Sequence, residues 1–386
     1  MQIILADTEY RNGCLPFTES KAVADLRIGI LTIRERWQHL AGKEVFVHTV
    51  PWLRCLYPSV PTEQSIWIDA QALANPDIAR MALALQPGNA LAWEGRIWAC
   101  CAADTNLQDV SSVFDAAYQQ VTEQPVNFLS HPWQIMQWNK EWLTIDFQLI
   151  TAHRFSEPIP ETVFCTSVNN IFIEPGAQLM NCWLNASEGP IYIGKNAYIM
   201  EGAAIRGPFA MGEGAVVKMQ ASIYGATTLG PFCTAGGEIK NAVLMGYSNK
   251  AHQGYLGDAV IGEWCNLGAG TTNSNVKNTA GMVKVWDFNT NQYMSVANKC
   301  GVVMGDHCTV AINSSINTGS MFGTCSNIFG SGLLPTIVPS CNWGVTGIRY
   351  NFNKALDSIR NWKQFKGKTL TEAEISVLKH IFAHQN

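Results

Sequence analysis

Seven apolar residues, Ile193, Ile199, Ile205, Met211, Val217, Ile223 and Leu229, fall six positions apart without a miss. An α-helix repeats its apolar face near 3.6 residues and a strand near 2, so neither alone produces this period. A period of six is the mark of a hexapeptide β-helix, in which each hexad supplies one short strand and one corner. Three hexads close a triangular coil, and every sixth side chain points into the prism. Gly194, Gly202, Gly212 and Gly230 suit its tight corners. A second run keeps the same beat at Met304, Val310, Ile316, Phe322, Ile328 and Leu334.

The 386 residues suffice for two or three domains with sizeable cores. No apolar run is long enough to span a bilayer, and no charged and apolar leader opens the chain, so neither membrane nor signal peptide is expected. A formal net charge of −4 argues against a general nucleic-acid partner. The 12 cysteines form no C-x-x-C pair. Scattered thiols of this kind predict a reducing cytoplasm, with Cys265 and Cys308 as small apolar fillers.

Residues 1 to about 150 lack the period of six. Gln2 to Ala6, Glu44 to His48 and Ser65 to Ile68 read as strands. Leu26 to Leu40, Ile78 to Leu85 and Val110 to Gln120 read as helices, which predicts a mostly parallel α/β sheet. Pro132 to Leu149 reads as a connecting helix, and Pro158 and Pro160 mark the boundary after it. The pattern divides the chain into 1–155, a β-helix over 161–345, and a helical arm over 346–386. Within the β-helix the beat slips after Leu229, with Ile239 rather than Ala235 expected to resume it. Longer interruptions follow at 250–256 and 274–299, and such excursions usually build binding surface. In the arm, Leu356, Ile359, Trp362 and Phe365 have helical spacing, and Thr371 with Glu374 forms a capping box. The arm is basic, which reads either as a solvated face or as a guide for a phosphate-rich cofactor.

The segment Lys250-Ala251-His252-Gln253-Gly254-Tyr255-Leu256-Gly257-Asp258-Ala259, continuing through Asn266-Leu267-Gly268-Ala269-Gly270-Thr271, resembles the acetyltransferase domain of the bifunctional enzyme family that makes UDP-N-acetylglucosamine. That family joins an N-terminal uridylyltransferase to a left-handed β-helix. The chain looks like a divergent, sugar nucleotidyltransferase-like branch of it. The resemblance implies a nucleotidyltransferase-like α/β domain, a left-handed parallel β-helix and a helical arm, packed as a homotrimer. It implies His252 as the catalytic base and the Ala269 amide as the donor to the tetrahedral oxyanion. It places Lys218, Lys240, Tyr255, Asn266 and Lys299 on the amino-sugar phosphate, and Ala269 and Asn275 on acetyl-CoA. Lys218 stands where the family has an arginine, which keeps the charge but loses the bidentate fork. The chemistry makes independent sense. An amine attacks a thioester only once its proton has a base to go to, and an imidazole with an ordinary pKa near 6.5 can take it. Read alone, a single histidine is more often a surface or core residue, and Asn266 and Asn275 could be corner residues.

The N-terminal part departs further. Sugar nucleotidyltransferases carry a glycine-rich loop after the first strand, where backbone amides approach nucleotide phosphates. Here Leu5-Ala6, Arg11 and Lys21 survive, but Asp7-Thr8-Glu9-Tyr10 replaces the glycines. Leu5, Arg11 and Lys21 are the candidates for nucleotide binding, and Asp69 for Mg²⁺ alongside a nucleoside triphosphate. The expectation is acetyl transfer to an amino-sugar phosphate, with nucleotidyl transfer as a companion. Nucleotidyl transfer alone, or a silent sugar-nucleotide-binding trimer, are the alternatives. The excursion 277–296 is expected to reshape the acceptor pocket, close over the cofactor or meet a neighbouring subunit.

Overall fold

The computed structural model describes residues 1–61, 64–102 and 110–384. An α/β part comes first, then a parallel β-helix, then two helices. The first sheet runs in the order Phe46–His48, Gln2–Ala6, Ser65–Asp69, Arg96–Cys101, Asn89–Trp93, Gln120–Glu123. Gln2–Ala6 is parallel to both neighbours, and Gln120–Glu123 is parallel to Asn89–Trp93. Arg96–Cys101 is antiparallel to both of its neighbours, so the sheet is mostly parallel with one strand reversed.

The helix expected from Leu26 starts only at Ile33, as α1 (Ile33–Ala41). Residues before it are held elsewhere: Gly29 turns the chain at φ +76°, and the Asp146 carboxylate accepts from the Ile30 and Leu31 amides. Thr32 and Glu35 then close a capping box that starts the helix. Helix α2 (Pro76–Leu83) follows, and α3 (Val110–Phe114) stops well short of Gln120, which opens a strand instead. Helix α4 (Gln134–Thr151) leads to the prolines.

In the β-helix, short strands stack in parallel register on three faces. Ile193, Ile199, Met211, Val217 and Leu229 are fully enclosed, as are Met304, Phe322 and Ile328. Ala235 keeps the beat, pairing in register with Val217 while fully buried. The slip comes one step later, because the hexad after Ala235 is shortened by the close-packed Gly236-Gly237 turn. Inward positions then continue at Ile239, Leu244, Lys250, Leu256, Ile261 and Leu267, all buried. Two long strands, Glu238–Gly246 and Tyr255–Glu263, each bend round a corner at Asn241 and Asp258, which take φ of 47° and 48°.

The α/β part docks on the β-helix through α4 and through one shared core. That core joins Ile3, Leu5, Trp37 and Ile68 to Val243, Met245, Val260 and Val303. Most of the excursion is a hairpin, Val283–Asp287 with Gln292–Ala297, whose Val283 and Val285 belong to the same core. It therefore packs on the chain's own α/β part, not over the site described below. The arm forms α5 (Phe352–Phe365) and α6 (Glu372–His384), the second opened by the Thr371–Glu374 capping box.

Candidate active site

The stretch around His252 is built on one face of the β-helix, where strands Val216–Val217, Thr234–Ala235, Asn249–Lys250 and Asn266–Leu267 stack in consecutive rungs. Lys218 leaves the first of these strands, His252 follows the third, and Asn266 lies on the fourth. Successive rungs sit about 4.8 Å apart, so side chains distant in sequence share one cleft. Between Lys218 and Ala251 comes Gly236. A Cβ there would lie 2.3 Å from the Ala251 carbonyl oxygen and 3.3 Å from the Lys218 Cβ. At Gly237, with φ +73°, a Cβ would lie 2.8 Å from the His252 carbonyl oxygen. The two glycines leave a notch beneath the histidine, a feature visible in the sequence only as an unremarked Gly-Gly pair.

A pocket of about 660 Å³ opens over this notch, lined by Lys218, Thr234, Asn249, Ala251, His252 and Asn266 on the β-helix side. Its opposite wall is α5, through Ser358, Asn361, Trp362 and Phe365. Those four share one helical stripe. The spacing of Trp362 and Phe365 marks them as part of an apolar helix face, and in the structure that face walls the pocket. The base of α5 is anchored: the Lys366 ammonium donates to the Phe232 carbonyl, and Lys363 pairs with Glu374 while lying 4.7 Å over the Trp264 ring. Trp264 continues a stacked ladder with Tyr247 and Phe232, at centroid spacings of 4.1 and 5.2 Å.

His252 is exposed at the turn between two faces, and its imidazole has room to reach the pocket. Ala269 is exposed in the turn of the following rung, where its carbonyl accepts from the Asn313 amide. Its own N–H donates to no acceptor among the described residues and is turned to no other task.

The remaining candidates gather round the corner, on the next face. Tyr255 opens the strand after the His252 turn, and its hydroxyl accepts from the Asn275 side-chain amide at 3.1 Å. Asn275 also donates to Asp258, which accepts a further bond from Asn241 at 2.6 Å. Burial, then the nearby Asp258 and Glu238 carboxylates, push the Tyr255 phenol up to about 12, so it stays a hydroxyl. Lys240 is exposed, in register with Gly257 on the neighbouring strand. Lys299 is exposed beside Cys300, whose amide donates to the Asn275 carbonyl. Lys218, His252 and Asn266 thus share one pocket. Lys240, Tyr255, Asn275 and Lys299 lie on the adjoining face of the same protomer.

The α/β part places its candidates differently. Leu5 is fully buried in the first strand, second from the edge of the sheet. Arg11 is buried and bonded to Asp7 at 3.1 Å and to the Thr18 carbonyl. Lys21 is buried between two carboxylates of the β-helix, Asp306 at 3.0 Å and Glu263 at 3.1 Å. Burial alone would lower its ammonium, but Asp306 and then Glu263 hold it well above the ordinary lysine range. Asp69 was expected to hold Mg²⁺, and its carboxylate is already taken. It accepts from the Arg96 guanidinium at 2.9 Å, the Gln71 amide at 3.0 Å and the Thr8 hydroxyl at 3.3 Å. No group of three His, Cys, Asp or Glu among the described residues could hold a metal. The residues do not fit Mg²⁺ as they stand.

Residues 3–155 match the sugar nucleotidyl transferase family. The chain is 26% identical over 187 residues to the bifunctional protein GlmU of Synechococcus elongatus, covering 46% of this chain and 40% of that one. It is 29% identical over 164 residues to the bifunctional protein GlmU of Bartonella quintana, covering 39% and 32%. The matched stretches therefore span well under half the length of these curated relatives. Among solved structures, the Arabidopsis UDP-N-acetylglucosamine acyltransferase aligns over 53% of this chain and 76% of its own, at 14% identity and a TM-score of 0.28. With a first part that matches the sugar nucleotidyl transferase family and a parallel β-helix after it, the chain is similar over part of its length to the bifunctional GlmU proteins.

Proposed function

We propose that the β-helix transfers an acyl group, acetyl from acetyl-CoA, to the amine of an amino-sugar phosphate. The observation that carries this reading is the single pocket joining Lys218, His252 and Asn266 from separate rungs over a glycine notch. His252 would take the proton from the attacking amine as the new C–N bond forms. The free Ala269 N–H is suited to the negative charge that develops on the thioester oxygen. Lys218 supplies a cation for a phosphate, as a point charge rather than a fork.

The second group, Lys240, Tyr255, Asn275 and Lys299, lies outside this pocket, on the adjoining face of the same protomer. In a homotrimer packed through the β-helix, that group on one subunit would meet the pocket of the next. The Phe164 and Trp183 rings, stacked at 5.8 Å and largely exposed on the same face, are the kind of apolar surface such packing would cover. A trimer in sedimentation equilibrium is expected. Cytoplasmic location fits the free cysteines, and among the described residues no helix is long and apolar enough to cross a membrane.

Nucleotidyl transfer is the second activity, favoured by the match of residues 3–155 to the sugar nucleotidyl transferase family. Its phosphate contacts would have to come from groups other than Arg11 and Lys21, or follow release of Lys21 from the β-helix. The test of the main reading is His252→Ala. It is expected to cut thiol release from acetyl-CoA by 100-fold or more, in line with the worth of a general base, with an unchanged melting temperature. Unchanged thiol release would end the proposal. Pyrophosphate release from a nucleoside triphosphate that survives His252→Ala would assign the second activity to the α/β part.

A further inference from the structure

We infer that Lys250 is a positioning residue for His252, gripping the histidine's peptide from inside the β-helix and so fixing the direction in which the imidazole leaves its turn. This rests on reading His252 as the base and adds the group that holds the base in place.

Lys250 occupies an inward position of the prism. In the row it belongs to, Val217 pairs with Ala235 and Ala235 with Lys250, while Leu267, Val310 and Ile328 continue it below. Every other member of the row is aliphatic. Lys250 is 1% exposed. Its ammonium donates to the His252 carbonyl at 2.6 Å and to the Gly236 carbonyl at 3.2 Å. Among the described residues it has no carboxylate partner, and burial brings the amine down to about 8. An aliphatic side chain would suit this site better, since an amine buried without a counter-charge works against folding. What the lysine adds is control of two carbonyls. It ties the turn after its own strand to the glycine turn of the rung above.

The consequence reaches the imidazole through the backbone. With its carbonyl drawn inward, the peptide following His252 has one orientation, and the side chain is carried outward toward the pocket. Gly237 makes room for that carbonyl, since a Cβ there would come within 2.8 Å of it. Without the ammonium, an exposed turn of this kind would sample several backbone states, and a base spends less time in the productive one.

Lys250→Met removes the amine and keeps much of the side chain's length. The expected result is a kcat for acetyl-CoA-dependent transfer lowered 10- to 100-fold, with KM for both substrates within twofold. The melting temperature should rise by about 2 to 5 °C, since an unpaired buried amine is gone. In a His252→Ala background, the same substitution should leave the residual rate unchanged. A kcat within twofold of the parent protein overturns the proposal. So does an equal loss with and without His252, or a loss accompanied by a lower melting temperature, either of which would make Lys250 merely structural. If His252→Ala itself turns over at the parental rate, the base assignment has failed. That result is distinct from a silent Lys250→Met beside an inactive His252→Ala.

Discussion

Two buried lysines show how differently one residue type can be used. Lys21 sits between Asp306 and Glu263, and its charge is matched. Lys250 sits among aliphatic neighbours and carbonyls, and its charge is not. The difference has a pH signature. The Lys250 amine falls from the ordinary 10.5 to about 8 in the folded protein. Below about 8 both states carry the proton, and the folded state bears the full penalty of a buried cation. Between about 8 and 10.5 the unfolded chain binds a proton that the folded one does not, so raising the pH relieves that penalty. Lys250→Met should therefore be more stable than the parent at pH 7, by at most about 3 kcal/mol, and the gap should close toward pH 10.5. Thermal melts of both proteins between pH 7 and 10.5 measure it. A gap that stays constant over that range would mean the amine is not titrating in the folded state. The sequence showed Lys250 only as a letter of the recognised segment. Its inward placement depends on the shortened hexad after Ala235, whose register the sequence misassigned.

At the scale of elements, α5 is both an anchored helix and a pocket wall. Lys363 and Lys366 tie its far end to α6 and to the β-helix. Phe365 is 80% exposed beside the pocket, with Trp362 edge-on to it at 6.0 Å. Removing an apolar wall that touches bound substrate equally in ground and transition states raises KM and spares kcat. Trp362→Ala should accordingly raise KM for acetyl-CoA about 10-fold and change kcat by less than threefold, in steady-state kinetics. A fall in kcat at constant KM would instead place Trp362 against the reacting atoms. Elements defined by strong local patterns were the legible ones: both hexad runs, the capping box at Thr371, and the first strand. The equivalent Thr32–Glu35 box is masked in the sequence by a helix-like apolar pattern that begins upstream of it. Those upstream amides are instead held by Asp146, on a helix far along the chain, and no local pattern reports that. The candidate site was half legible. The residue types were readable from the family segment, but their partition over two faces follows from the rung order. The fates of Lys21 and Asp69 follow from tertiary partners.

For the whole molecule, the excursion after Asn275 decides whether the parts behave as one. A hairpin that long has no role in closing a coil, yet Val283 and Val285 are fully buried in the core shared by the α/β part and the β-helix. Trp286, Phe288, Met294 and Val296 pack against the same core. The hairpin is thus a clamp between the two parts. Its inner strand is buried in that core, while most of Gln292–Ala297 stays at the surface. Truncating a fully buried valine loses about 1.5–3 kcal/mol of burial. Val285→Ala should lower the melting temperature of the whole protein in calorimetry, as one transition rather than two, because both parts lose the same clamp. Steady-state KM for acetyl-CoA and for the amino-sugar phosphate should stay within twofold of the parent, since the pocket lined by Lys218, His252 and Asn266 contains no residue of the hairpin. Two separated transitions, with only the first shifted, would show that the α/β part unfolds independently and that the shared core couples nothing. A changed KM at constant stability would return the hairpin to the substrate, on its own subunit or on the next.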